Sequence, residues 1–224
     1  MLTWEFLSYS LSDNLSAYRN GERISVCRQS EISKGDTCNQ SKVAVNLHFG
    51  THVDFPWHFF DGGKTSSDFS ADFFVADKIR VIVLNKLDVA HLVSVSDIEP
   101  YLKDVDDNLE CLIIKTGLCN LRYEDAYWND NVGVNENVAT FCRNRFPFLR
   151  FIGFDFMSVS GIHHRMLGRE VHKEFFRNNI LPIEDMDLSR INSCTIIKKI
   201  IISPYRVSKS DAAPATVFAQ IEKI

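Results

Sequence analysis

The residues best equipped for chemistry lie in one run, "NLHFGTHVDFPWHFFDGG" at residues 46–63, where His48, His52, His58, Asp54 and Asp61 are set among Phe49, Phe55, Trp57, Phe59 and Phe60. Burying a polar group unpaired costs about 2–7 kcal/mol, so these imidazoles and carboxylates need partners. An H-E-x-x-H zinc helix does not supply them. Phe49 stands where that motif needs Glu, Gly50, Thr51 and Val53 disfavour helix, and Pro56 breaks one. An extended strand, with its period of two, puts His48, Gly50, His52 and Asp54 on one side and Phe49, Thr51, Val53 and Phe55 on the other. On that reading Gly50 clears the space where an ion would sit about 2.0–2.2 Å from each ligand atom. Two neutral imidazoles and a carboxylate suit Zn(II) or Mn(II), with positions left for water. Pro56 then turns the chain and presents His58 at the rim, where Trp57 foremost, and Phe59, are candidates to contact a bound substrate.

Other parts of the chain must hold this run in place. "KVAVNLHF", "IRVIVLN", "CLIIKTG", "LRFIGFDF" and "TIIKKIIIS" are β-branched apolar runs that read as strands. Between them, "SVSDIEPYLKDV" opens with the capping-type spacing Ser96-x-x-Glu99, and "VNENVATFCRNRF" and "RMLGREVHKEFFRNN" repeat apolar residues at helical spacing, the last through Leu167, Val171 and Phe175. Strands alternating with helices imply an α/β domain, with extra antiparallel strands from the N-terminal third. At 224 residues, without a linker or repeat, the chain reads as a single domain. A net charge of −4 with no long Lys/Arg run excludes a nucleic-acid footprint, leaving Lys198-Lys199 as a solvated spot. The chain shows neither a signal-peptide pattern nor an apolar run of about 18 residues, so membrane spanning and export are not expected and a cytoplasmic location is. The six cysteines form no C-x-x-C pair and are expected mostly as small core residues. The aromatic run "FSADFFV" reads equally as a core strand or a contact with another subunit.

"HFGTHVDFPWHF" is similar to the H-x-G-T-H-x-D-x-P-x-H signature of the metal-dependent cyclase family, which includes bacterial kynurenine formamidases and isatin hydrolases, and matches every defining position. The resemblance implies a mixed sheet or β-barrel-like core with flanking helices, of the swivelling β/β/α type. It also implies a second half-site, in which a histidine on a helix and a glutamate ending the next strand complete the centre. "HKEFFRNNILPIEDMDLS" resembles that segment: His172 edges the helix's apolar face, Asn178-Asn179 stops the helix, and "ILPIE" runs on as a strand to Glu184. His163 and His164 are rivals to His172 that fit the register less well. Softer matches are "LIIKTG", "FIGFDFMSVS" and "ISPYRVSKSDAAPATVFAQI". The family-like part is thus residues 41–224, and residues 1–40 are a divergent N-terminal part. Departures are Ala212 and Ala213 for a usual Gly-Ser, Leu118 for Trp, and Ser160 for an acidic residue.

The activity implied by the resemblance is metal-dependent hydrolysis of a non-peptide C–N amide bond, in an aryl formamide such as N-formylkynurenine or in a cyclic amide. His48, His52 and Asp54 would hold one ion and Asp54 would bridge to a second held by His172 and Glu184, giving two per chain. His58 would carry the proton to the departing nitrogen. Lactone hydrolysis or cyclisation on the same centre, and a metal-binding protein without turnover, are the alternatives. A serine nucleophile is disfavoured because no G-x-S-x-G elbow occurs. The resemblance also favours a homodimer or higher homo-oligomer.

Overall fold

The structure, a computed structural model, describes residues 1–17, 21, 23–84, 87–129 and 132–222, with backbone alone for Arg165. In chain order its strands are β1 (Leu2–Phe6), β2 (Ser25–Ser30), β3 (Gln40–Ala44), β4 (His52–Asp54), β5 (Val75–Ala76), β6 (Ile79–Val83), β7 (Leu92–Val93), β8 (Cys111–Lys115), β9 (Gly133–Val134), β10 (Phe151–Phe154), β11 (Leu181–Glu184), β12 (Ile196–Pro204) and β13 (Ala212–Glu222). The helices are α1 (Val95–Ile98), α2 (Asp125–Asn129), α3 (Asn137–Arg145) and α4 (Arg165–Arg177).

Nine strands make one mixed sheet in the order β5-β12-β13-β4-β11-β10-β8-β6, with β1 paired to β13. Strands β6, β8, β10 and β11 run parallel, and β4 joins them antiparallel to β11. Parallel strands covered on both faces need near-continuous apolar runs; accordingly β8, β10 and β11 are buried at every residue. The sheet curls until β6 and β12 flank one cleft lined by Ile79, Val83, Ile196 and Ile197, which makes the core barrel-like. Its inner core includes Val53, Phe55, Ile113, Ile183, Ala213 and Val217. A second core, including Ile114, Cys142, Phe154, Val171 and Phe175, lies on the opposite face with side chains from α3 and α4. This is the mixed α/β, barrel-like architecture with flanking helices that the sequence led us to expect.

Five local readings are corrected. Residues 46–51 are not strand: β3 stops at Ala44, and Asn46 turns the chain by accepting from Phe49 N on its carbonyl (3.1 Å) and from His48 N on its side-chain oxygen (2.9 Å). Gly50 follows at φ +69°, and a Cβ there would meet Leu11 Cδ2 at 2.6 Å and Leu15 Cδ2 at 3.3 Å. Glycine is therefore required by the backbone and by packing against the N-terminal segment, not to make room for an ion. The cap of α1 is Ser94 with Asp97, not Ser96 with Glu99: Asp97 Oδ2 accepts from both Ser94 N and Ser94 Oγ at 2.7 Å. The "FSADFFV" run forms a short 3₁₀ turn at Ala71–Phe74 whose phenylalanines pack against the inner core. Cys111, Cys119 and Cys142 are buried, but Cys27, Cys38 and Cys194 are exposed. Among the described residues no helix is long and apolar enough to cross a membrane.

Candidate metal centre

Strand pairing assembles the centre. β4 lies between β11 and β13, so Glu184 falls opposite His52 and Ala212 opposite Asp54. Helix α4 adds His172 from its buried side. His52, Asp54, His172 and Glu184 are only 1–3% exposed although all four are polar. Backbone carbonyls set the imidazoles: His52 Nδ1 donates to Gly50 O (2.9 Å) and His172 Nδ1 to Gly168 O (2.8 Å), because a carbonyl can only accept. Each Nε2 is thereby turned towards the carboxylates. His52 Nε2 is 3.4 Å from Asp54 Oδ1 and 3.4 Å from Glu184 Oε2. His172 Nε2 is 3.2 Å from Asp54 Oδ2 and 3.3 Å from Glu184 Oε1, and His48 Nδ1 is 3.1 Å from Asp54 Oδ1.

These contacts do not close into hydrogen bonds. His52 Nε2 and both carboxylate oxygens of Asp54 are buried without a hydrogen-bond partner, an arrangement that costs about 1–3 kcal/mol per group unless something else pairs them. Ligand bonds of about 2.1 Å at tetrahedral angles would put donor atoms about 3.4 Å apart, and the observed separations match. The donor set of imidazole nitrogens and carboxylate oxygens suits a divalent cation. The centre therefore fits divalent cations. Among the described residues the ligand-sized clusters are His52–Asp54–Glu184 and His48–Asp54–His58, so His58 stands close enough to be a ligand itself; His172 adjoins the first cluster through Glu184 Oε1.

Protons show the same preference for positive charge. Burial disfavours the imidazolium of His172, yet the carboxylates of Asp54 and Glu184 outweigh it and raise the pKa to about 10. His52 is held well above its ordinary value by the same two carboxylates against burial, and His48 is raised against burial chiefly by Asp54. Burial alone would raise the two acids, but the surrounding imidazoles hold Asp54 well below the carboxylate range and Glu184 at about 2. His58 goes the other way: burial, together with the charge of His48 and His172, lowers its pKa despite Asp54 and Asp211.

The centre floors a cavity of about 450 Å³ whose walls include His58, Phe59, Met157, Ser158, Ser160 and Ile162. His48, His52, Asp54, His58, His172, Glu184 and Phe59 thus come together. Trp57 does not: it is 39% exposed and outside the cavity lining. His163 bonds to Asn129 O instead, and neither it nor His164 lines the cavity. The sequence reading missed Asp211, which meets His48 and His58, and the hydroxyl loop behind the centre. In that loop Ser158 Oγ (3.1 Å) and Val159 N (2.8 Å) donate to Glu184 Oε1, and Ser160 Oγ is 3.3 Å from His172 Nδ1. Their signal in the sequence is the polar residues of "DFMSVS" and "SDAAP", which carry no spacing that points to the centre.

Residues 6–160, more than half of the chain, match the model of the Cyclase family ("Putative cyclase"). The chain belongs to the cyclase family. Kynurenine formamidases from Bacillus cereus (strain ATCC 10987) and Bacillus cytotoxicus are 24% and 22% identical to this family member over 94% of each chain. Among solved structures, an isatin hydrolase bound to the product analogue thioisatinate is similar with a TM-score of 0.80, at 15% identity over 99% of this chain and 93% of that one. A "potential metal-dependent hydrolase with cyclase activity" covers 100% of both chains at a TM-score of 0.77 and 20% identity. At these identities the structural likeness carries the fold alone.

Proposed function

We propose that this cyclase-family protein is a metal-dependent amidohydrolase that cleaves a non-peptide C–N bond in an aryl formamide, such as N-formylkynurenine, or in a cyclic amide. The observation that carries this reading is the convergence of His52 Nε2 and both Asp54 oxygens, buried and unpaired, on the floor of an open cavity. His48, His52, Asp54, His172 and Glu184 would hold two divalent ions, Zn(II) or Mn(II), with Asp54 between them. Bound there, the ions would lower the pKa of a coordinated water from about 15.7 towards about 7 and polarise the carbonyl under attack.

The chain's own residues do the remainder. Burial lowers the pKa of His58, so the neutral ring can take the proton of the attacking water and return it to the nitrogen as the C–N bond breaks. Phe59, Met157 and Ile162 supply the apolar wall for an aryl group, which moves the stacking role from Trp57 to Phe59. Ser158 and the amide of Val159 hold Glu184 in place. A second reading, in which His58 is a ligand, is favoured by its cluster with His48 and Asp54. We further read the protein as a homo-oligomer, consistent with the exposed Trp4 and Phe6 on β1; light scattering after size exclusion measures that directly.

The test is metal content by elemental analysis, paired with N-formylkynurenine hydrolysis before and after chelation. Near two ions per chain with chelator-sensitive turnover is expected. Metal without that turnover would redirect the search to lactams and lactones, and protein that neither carries nor takes up metal would end the hydrolase reading.

A further inference from the structure

Asp211 lies at the rim of the centre, one residue before β13. The pairing of Ala212 with Asp54 and the hydrogen bond from Phe55 N to Asp211 O (2.9 Å) hold it there. Its Oδ2 accepts a hydrogen bond from His48 Nε2 at 2.9 Å and stands 3.3 Å from His58 Nδ1. The two imidazole centroids are 4.5 Å apart, so one oxygen serves both rings. A carboxylate oxygen accepts and cannot donate. His48 therefore carries a proton on Nε2, which leaves Nδ1, 3.1 Å from Asp54 Oδ1, as the nitrogen that would hold a cation together with that oxygen. On His58 an unprotonated Nδ1 would set a lone pair against the carboxylate, so the proton sits on Nδ1 and Nε2 is left as the acceptor.

We infer that Asp211 is a positioning residue whose single oxygen fixes the tautomers of His48 and His58 together, orienting one ring to hold metal and the other to receive a proton. This deepens the hydrolase reading and rests on it. Partners of this kind behind a metal-holding histidine typically contribute about 10- to 100-fold in metal affinity or activity. Asp211 would act on the metal through His48 and on the proton through His58, without touching the reacting atoms. A residue that merely braced the β13 entry would leave both tautomers as they are.

Long-range proton–nitrogen correlation spectra of the zinc-loaded protein at mildly alkaline pH read the tautomers directly. In the wild type His58 should show its proton on Nδ1; in Asp211→Asn and Asp211→Ala it should shift towards Nε2. Zinc binding should weaken about 10- to 100-fold in Asp211→Ala, and kcat should fall with KM unchanged. With zinc held at saturation, so that the His48 arm does not limit turnover, adding Asp211→Ala in a His58→Ala background should lower kcat no further. An unchanged His58 tautomer in both variants, or kcat losses that multiply in the double variant, overturns the inference. If the protein takes up no zinc the hydrolase reading fails, yet the same spectra of the metal-free protein still report His58 and decide the role of Asp211.

Discussion

Asp54 faces imidazoles on both sides, with Oδ1 towards His48 and His52 and Oδ2 towards His172. Without metal, protons on these rings supply the missing positive charge, and stability acquires a pH dependence of definite sign. His172, raised from 6.5 to about 10, contributes stability that is complete below pH 6.5 and lost as the pH rises through about 10. Glu184, lowered from 4.5 to about 2, contributes stability present above pH 4.5 and lost as the pH falls towards 2. Metal-free protein should therefore melt highest between about pH 4.5 and 6.5, with Tm declining on both sides. Zinc, which needs neutral imidazoles, should remove the alkaline decline. A metal-free Tm that held or rose from pH 6.5 to 10 would contradict the charge array.

The same residues separate holding from turnover. His58→Ala should keep its metal and lose about 10²- to 10⁴-fold in kcat, while His52→Ala should lose metal; metal analysis beside kinetics distinguishes the two. A metal-free His58→Ala that still folds would make His58 a ligand. His48, His52 and Asp54 were legible as candidate ligands because imidazoles and a carboxylate crowded among phenylalanines have few other uses, whereas His172 and Glu184 were named only through the family resemblance. Asp211 was not: it meets His48 across 163 residues of chain, a contact created only by pairing β13 with β4.

At the scale of elements, α4 and the loop before it are packed too tightly for a side chain at Gly168. A Cβ there would come within 2.7 Å of Ser160 Cα and closer still to the Ser160 side chain, which itself leans on His172 Nδ1. In an exposed helix Gly→Ala gains about 1 kcal/mol; here overpacking costs about 1–3 kcal/mol and should win. Gly168→Ala is expected to lower Tm and weaken zinc binding together, as a melt and a metal titration on one sample would show. A stabilised variant with unchanged zinc affinity would mean that the loop yields freely. Helix α4 and strands β8 and β10 were readable because the apolar pattern along each run agrees with its burial, while β11 was expected from the segment that resembles the family. The turn at residues 46–51 was not, because the Asn46 side chain and the positive φ of Gly50 override an alternation that looks extended.

Over the whole molecule, the candidate ligands come from distant parts of the chain: β4 and the turn before it supply His48, His52 and Asp54, while α4 and β11 supply His172 and Glu184. Sequence periodicity could not give this strand order, since parallel and antiparallel neighbours far apart in the chain are chosen by long-range packing; the barrel-like closure was expected only from family resemblance. An ion held between these parts would act as a cross-link that exists in the folded chain alone. Free metal at a thousandfold excess over Kd stabilises such a fold by about 4 kcal/mol, so zinc should raise Tm by several degrees or more and the rise should track the logarithm of free zinc. His172→Ala leaves β4 intact but removes one side of the bridge, and should keep only part of that rise. A rise equal to that of the wild type would place the stabilising ion wholly within His48, His52 and Asp54, and the two halves of the sheet would then not be joined through metal at His172.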